Sequence, residues 1–215
     1  MTTTDGQVRP GEERDWWLRT LLVLQAPRAV FVQLRDDSDA AAETRQEPVT
    51  AIVFLAGIAG VLGTTIAGRL LDDPALDALV VAVWAIVGGG FYGLAGYFGL
   101  GALVLLGVGL AGSVGSYRRA RHTLAFASVP IALTLLMWPV RLSLYGTDVF
   151  RSGGADGAGD AVFELLLAGA VAWSVALLLI GNRVIHEWSW MRAAGATAVP
   201  ALVPAFAYAR FLGVA

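Results

Sequence analysis

The chain has 215 residues, of which 57% are hydrophobic and 15% are charged, against about 45–50% and about 25% in ordinary soluble domains. Too few polar side chains remain to cover a water-facing surface, so a single soluble domain is nearly ruled out and a polytopic membrane protein is the expected class. A formal net charge of −2 argues against a nucleic-acid-binding protein, and the lack of cysteine excludes disulfides and thiolate chemistry.

The first 48 residues are predicted to precede the membrane domain on its cytoplasmic side. Residues 1–13 are polar and are predicted to form a disordered tail. Residues 14–48 are predicted to form a cytoplasmic amphipathic helical segment followed by a charged linker.

The apolar run that begins at Trp16 and Trp17 is too short to cross a bilayer and is interrupted by arginine. Tryptophan, leucine and phenylalanine mixed with arginine indicate a helix that lies in the membrane interface. Pro27 is expected to start a second short helix that ends near Leu34. The segment either docks a partner or senses the membrane surface, or it only covers the base of the bundle.

Five apolar stretches follow, and each is long enough to cross about 30 Å of hydrocarbon as a helix. Together they define a transmembrane domain over residues 49–215. The predicted spans are residues 49–71, 75–112, 122–144, 161–181 and 192–212. The predicted fold is therefore all-α: an integral membrane bundle of five transmembrane helices with an N-terminal amphipathic interfacial helix.

The second apolar stretch, residues 75–115, is longer than one span requires. As a single helix it would be about 60 Å long, twice the hydrocarbon thickness. Two short spans that turn at residues 88–90, three consecutive glycines, are the alternative. The arginine distribution favours a single long helix and five spans, although the residues alone leave both forms open.

Arginine supplies all 15 basic residues, and its distribution predicts the orientation of the bundle. With five spans and a cytoplasmic N-terminus, all but four arginines lie on the cytoplasmic side, as the positive-inside rule expects. The four on the other side are Arg69, Arg141, Arg151 and Arg210. We therefore predict a multi-pass protein of the cell membrane. The absence of lysine and the acidic excess suggest a halophilic archaeon as the source.

No combination of residues predicts catalysis. A G-x-G-x-x-G pattern over residues 107–112 lies inside an apolar span, where no βαβ unit can form. His186 and Glu187 begin a zinc-protease pattern, but Trp190 occupies the position of its second histidine. We predict that the protein is not an enzyme and has no catalytic, cofactor-binding or metal-binding residue.

Glycine recurs every three residues in two of the apolar stretches, in rows that allow close helix packing or homo-oligomerisation. The rows comprise Gly57, Gly60 and Gly63, and Gly90, Gly93, Gly96 and Gly99. Glycines that line a channel are the alternative.

A combination of three features resembles a known family. A Trp-rich amphipathic stretch with Pro-Arg-Ala-Val-Phe at residues 27–31 precedes five spans, and Ser-Tyr-Arg-Arg at residues 116–119 leads to Ala-Phe-Ala-Ser-Val-Pro at residues 125–130. This order resembles the prokaryotic branch of the YIP domain family, Ypt/Rab-interacting-protein-like five-span membrane proteins, over about residues 16–212. The resemblance implies an integral membrane protein with a cytoplasmic N-terminus. Eukaryotic members bind small GTPases, but their Asp-Leu-Tyr-Gly-Pro motif is absent before the first span here, so that activity is not expected.

The predicted function is non-enzymatic: the protein organises the membrane or recruits a partner through its cytoplasmic face. The candidate contacts with lipid or a partner are Trp16, Trp17, Pro27, Phe31, Tyr117, Arg118, Arg119 and Arg121. The arginines among them either meet anionic lipid head groups or serve only as topology determinants. The expected partners are membrane lipid, an unidentified protein and a second copy of the chain, with no nucleic acid and no cofactor. A transporter or channel subunit with a glycine-lined path is the alternative.

Overall fold

The structure is a computed structural model that describes residues 10–154 and 158–211, with side chains placed for residues 15–154 and 159–202. Most of the predicted N-terminal tail, residues 1–9, lies outside the described residues. The described part is helical throughout and contains no strand, which confirms the all-α class.

Ten α-helices and three short 3-10 segments make up the described chain. The α-helices are α1 Pro10–Leu22, α2 Pro27–Gln33, α3 Asp39–Thr44, α4 Gln46–Leu62, α5 Ala78–Leu110, α6 Tyr117–Ala127, α7 Val129–Leu133, α8 Trp138–Tyr145, α9 Ala158–His186 and α10 Trp190–Phe211. The 3-10 segments are Ala67–Asp72, Thr134–Met137 and Gly146–Phe150.

Three segments of the described chain are long and apolar enough to cross a membrane. They are Ala78–Leu110, Tyr117–Phe150 and Gly159–His186, with mean hydropathies of 2.0, 1.8 and 2.2. Helix α4 is also apolar but has only 17 residues. These segments make the chain a multi-pass membrane protein, while the predicted count of five spans exceeds the three found by length and composition.

Helix α5 is continuous over 33 residues, so the second apolar stretch forms one long helix and not a broken pair. At about 50 Å it exceeds the hydrocarbon thickness. The Asp77 carboxylate caps its start by accepting hydrogen bonds from the N–H groups of Leu79 and Val80, at 3.0 and 3.1 Å. At its other end Arg192 Nε donates to the carbonyl of Ala111 at 2.7 Å.

Glycines allow α4 and α5 to pack backbone to backbone. A Cβ atom added to Gly57 would lie 2.6 Å from the backbone nitrogen of Gly93, and one added to Gly89 would lie 2.7 Å from the Cα of Ile58. Both are far inside van der Waals contact. Gly57 and Gly93 of the predicted rows, together with Gly89, therefore bring the two helices together in the way expected where small residues replace the hydrophobic effect as the driving force for association. Gly96 and Gly99 of the second row meet nothing within 4 Å and take no part in this contact.

The third apolar stretch is not one helix but the series α6, α7 and α8 with a 3-10 turn before α8. Pro130 and Pro139 occupy the first turns of α7 and α8, where the missing N–H is tolerated. The Ser128 hydroxyl donates to the carbonyl of Ala125 at 2.7 Å and thereby satisfies a group near the first break. The prolines thus set the positions of the breaks.

The first apolar stretch also forms a shorter helix than the predicted span of residues 49–71. Helix α4 ends at Leu62, Gly63 caps it, and the Thr64 hydroxyl donates to the carbonyl of Val61 at 2.7 Å. The 3-10 segment Ala67–Asp72 completes the stretch. The hydroxyl competes for a helix carbonyl, which favours a turn at this position.

The buried apolar residues form two clusters at opposite ends of the bundle. The larger cluster lies at the end that carries α1 and α2, and it includes Phe31, Phe126 and Leu177. The smaller cluster consists of Leu71, Val81, Val149 and Phe150. The N-terminal helices are therefore part of the folded bundle and share its main core.

Candidate functional site

The end of the bundle that carries α1–α3 concentrates arginines, which we call the arginine rim: Arg35, Arg45, Arg118, Arg119 and Arg121. Arg45, between α3 and α4, is fully buried. Its Nε donates to Nδ1 of His122 at 2.8 Å, and its Nη1 donates to the carbonyl of Asp36 at 2.8 Å. A buried guanidinium needs such partners because its desolvation is costly.

Asp37 is the acidic centre of the arginine rim. Its Oδ1 accepts from Nη2 of Arg45 at 3.3 Å and from Nε of Arg118 at 3.1 Å. Burial acts to raise the pKa of Asp37, but hydrogen bonding to the side chains of Ser116 and Arg118 outweighs it, so the pKa lies below its ordinary value. Asp37 therefore stays ionised and holds two arginines from distant parts of the chain.

Arg118 is bound on several sides by the start of α3 and the residues just before it. Its Nη1 donates to Asp39 at 2.6 Å, and its Nη2 donates to the backbone carbonyl of Asp37. Ser116 caps the helix on which Arg118 sits. The predicted lipid-contact residue thus pairs within the protein and clamps the N-terminal segment to α6.

Arg119 and Arg35 form a second clamp. Arg119 Nη2 donates to the carbonyl of Arg35 at 2.9 Å. Arg35 in turn donates from Nε to the carbonyl of Val184 at 3.2 Å and pairs with Glu187 at 2.7 Å. Because Val184 lies in the last turn of α9, the arginine binds a carbonyl at the negative end of that helix.

Arg121 lies within an aromatic enclosure. Its guanidinium carbon is 5.0, 4.8 and 4.6 Å from the ring centroids of Tyr97, Phe98 and Tyr117, within cation–π range. The Tyr117 hydroxyl donates to the carbonyl of Phe98 at 2.8 Å, which fixes one wall. Tyr117 is 37% exposed, so the enclosure reaches the surface.

The aromatic candidates on the N-terminal helices divide into buried and exposed residues. Trp16 is buried with its ring centroid 5.4 Å from that of Phe126, and Phe31 is fully buried against Gly181. These two side chains anchor the N-terminal helices in the core and do not face outwards. Pro27 is half-buried at the first turn of α2.

Helix α1 has two apolar faces. One face packs inward through Trp16 and Thr20, and Val23, just after the helix, continues it; the three residues are four and three apart. The opposite face exposes four large apolar side chains. These are Trp17, Leu18, Leu21 and Leu22, with exposed fractions of 43%, 63%, 58% and 41%. A contiguous exposed apolar face beside charged residues marks a contact with lipid or a partner.

Sequence reasoning did not identify Arg45, Asp37 or His122 as site residues. The predicted third span, residues 122–144, begins at His122 and so places it at a membrane edge, but the structure buries it beneath Arg45. The available signal was charge complementarity, because the acidic residues 36–39 face the basic residues 118–121 across a long separation in sequence. Within the described residues, no three His, Asp or Glu side chains come close enough to hold a metal ion.

Comparison with known protein families identifies the chain. The family model of the Yip1 domain matches residues 21–210. The chain therefore belongs to the Yip1 domain family, which confirms the resemblance seen in its sequence. No curated protein and no solved structure gives a significant match.

Proposed function

We propose that this member of the Yip1 domain family is a non-enzymatic, five-span protein of the cell membrane that organises the bilayer through its cytoplasmic face, with α1 lying in the membrane interface. The exposed apolar face of α1 is the observation that carries the proposal.

Two further helices would bring the number of spans to five. Helix α4 has 17 residues and α10 has 22, so they extend for about 25 and 33 Å. A span requires about 17–25 residues, and a short one is accommodated by local thinning of the bilayer. Five spans together with the excess of arginine at the α1 end support a cytoplasmic N-terminus.

The contact with lipid is assigned to α1 and not to Arg118. All three guanidinium nitrogens of Arg118 donate to Asp37 or Asp39, so a lipid phosphate would have to displace internal partners. Leu18 and Leu21 have no such competitor and are more than half exposed. Burial of this face in the head-group region would insert a wedge into one leaflet only.

A protein partner would bind the same exposed apolar face of α1. Purified protein in lipid alone distinguishes this role from direct organisation of the bilayer, because only the second acts without a partner. A transporter or channel subunit with a glycine-lined path is less well supported. Backbone contacts between α4 and α5 close the seam at Gly57, Gly89 and Gly93. The cavity of about 380 Å³ beside this seam is mainly apolar, and an apolar lining does not favour the passage of ions.

Single cysteines test the position of α1, since the chain has none of its own. Leu21→Cys carrying an environment-sensitive fluorophore should show blue-shifted emission in vesicles and strong quenching by lipids spin-labelled near the head group. Glu43→Cys, on the exposed part of α3, is the matched control and should behave as in water. Equal emission and quenching at the two positions would refute the interfacial placement.

Vesicle size tests the organising role. When the full chain is reconstituted at rising protein-to-lipid ratios, the mean diameter of the vesicles should fall and its distribution should narrow. The double variant Leu18→Gln with Leu21→Gln should reduce this effect several-fold. The control is Gln33→Ala, an exposed polar position on α2. Vesicles of unchanged diameter at every ratio would show that the apolar face serves a partner instead.

A further inference from the structure

The opposite end of the bundle contains a polar cleft of about 410 Å³, formed by the end of α4, helix α8 and the start of α9. Five charged residues line it, and arginine exceeds carboxylate. They are Arg69, Arg141, Arg151, Asp160 and Glu164. Arg141 pairs with Asp160 and Arg151 with Asp148, so an anionic group at the mouth of the cleft would be held by Arg69 and by the donor atoms of Arg141 that Asp160 leaves free.

Arg141 is the best-placed cation in the polar cleft. It pairs with Asp160, and its guanidinium carbon lies 5.3 Å from the ring centroid of Trp138 and 5.7 Å from that of Phe163. Its Nε is buried and has no hydrogen-bond partner among the residues that the structure describes. A buried donor without a partner is costly, so a shift of the Arg141 side chain that lets Nε donate to a ligand oxygen would be favoured.

A second cavity, of about 380 Å³, lies nearer the middle of the bundle between α4, α5, α7 and α9, and it opens on the outer surface beside Tyr92 and Val171. We call it the glycine cavity because Gly60, Gly63 and Gly96 contribute to its walls. The remaining lining is mainly apolar and includes Val171 and Leu178. A volume of this size and polarity suits an apolar ligand.

The polar cleft and the glycine cavity adjoin each other, because Ala59, Gly63 and Leu167 line both. One face of α9 runs past both in helical register. Its residues are Asp160, Glu164, Leu167, Val171, Ser174 and Leu178. From Leu167 to Leu178 the apolar part extends for about 16 Å, which is close to half of the roughly 30 Å hydrocarbon core.

We propose that the polar cleft and the glycine cavity form one lipid-binding site, which holds the anionic head group of a membrane lipid on Arg141 and one of its chains between α4, α5 and α9. Charged residues line the proposed site at the end of the bundle, and apolar residues line it towards the middle. A lipid in one leaflet has the same order, with its head group at the membrane surface and its chains in the interior. This site lies at the far end of the molecule from α1 and does not depend on the proposed interfacial role of α1.

Binding of phosphatidylglycerol to the full chain in detergent, measured by native mass spectrometry, tests the site. Glycerol phosphate, the same head group without chains, separates lipid from free phosphate ester and should bind at least tenfold more weakly. Gly96→Leu should fill the glycine cavity, where an added Cβ meets nothing within 4 Å, and should weaken lipid binding about tenfold. Gly99→Leu is the matched control, since it is equally unobstructed and lies outside the cavity lining.

A second pair of variants tests the glycine cavity independently, in case Gly96→Leu does not fold. Val171→Phe enters the glycine cavity from α9, and Val162→Phe, an exposed position outside the lining, is its control. For the head group, Arg141→Gln combined with Asp160→Asn removes the ion pair as a unit and should also lower lipid affinity about tenfold. The proposal is overturned if folded Gly96→Leu and Val171→Phe bind lipid as the wild type does, if the charge-neutral pair does, or if glycerol phosphate binds as tightly as the lipid.

Discussion

Arg45 and His122 lie 77 residues apart in the chain and meet in the interior, where Nε of the arginine donates to Nδ1 of the histidine at 2.8 Å. Both side chains are buried. Because a guanidinium only donates, Nδ1 must carry a lone pair, and the imidazole is neutral in this arrangement. The contact joins the segment before α4 to α6 and completes the attachment of the N-terminal helices to the bundle.

Arg45→Met is expected to destabilise the folded protein by roughly 3 kcal/mol, because it removes a buried charge around which Asp37 and His122 are arranged. Thermal unfolding in detergent measures the loss. Arg28→Gln, an exposed arginine on α2, is the control and should unfold as the wild type does. Equal unfolding of the two variants would show that the buried network contributes nothing to stability.

Low pH should weaken the ion pairs that Asp37 makes in the arginine rim. The pKa of Asp37 is lower in the folded protein than its ordinary value of 3.8, so ionised Asp37 contributes stability above that value. The contribution is lost as the pH falls through the lowered pKa in the folded state. Unfolding temperature should therefore drop below about pH 3.8 in the wild type, and Asp37→Asn should be less stable at pH 7 and less sensitive to acid. If the unfolding temperatures of the wild type and of Asp37→Asn fell equally with falling pH, Asp37 would not be the source of the acid sensitivity.

Arg118→Gln should free the segment between α2 and α4. Arg118 is held by Asp37 and Asp39, so its removal should increase proteolytic cleavage over residues 34–46 several-fold while binding to anionic vesicles stays near the wild-type level. Arg28→Gln again provides a surface control. Reduced vesicle binding without any increase in cleavage would instead support the direct lipid contact expected from the sequence.

The sequence predicted the broad class because composition and apolar length are properties of the chain itself. The all-helical fold, the restart of a helix at Pro27 and the family all follow from local residues. The breaks at Pro130 and Pro139 also have a local cause. The lengths of α4 and α5 depended on tertiary packing and turn chemistry, and hydropathy alone left them open.

The candidate site was harder to predict because it depends on which side of a helix faces the bundle. Trp16 and Trp17 are adjacent and chemically identical, yet Trp16 is 5% exposed and Trp17 is 43% exposed. Both faces of α1 are apolar, so periodicity alone could not orient it. The role of Arg45 could not be predicted from local residues, because its partner His122 lies 77 residues away in the sequence. Hydropathy also assigns the segment around His122 to the membrane edge.

The glycine rows provide the last prediction, since the sequence left open whether they pack helices or line a path. At Gly57 an added methyl group would meet the backbone of Gly93 at 2.6 Å, and backbone cannot move aside as a flexible side chain can. Gly57→Ala should therefore destabilise the protein by about 1–3 kcal/mol through separation of α4 and α5. At Gly109 nothing lies within 4 Å, and alanine there should be neutral or stabilise α5 by up to about 1 kcal/mol. Thermal unfolding of the two variants in one detergent distinguishes the roles. If Gly57→Ala unfolds at the same temperature as Gly109→Ala, α4 and α5 are not in backbone contact at this position, and a path between them becomes the better interpretation.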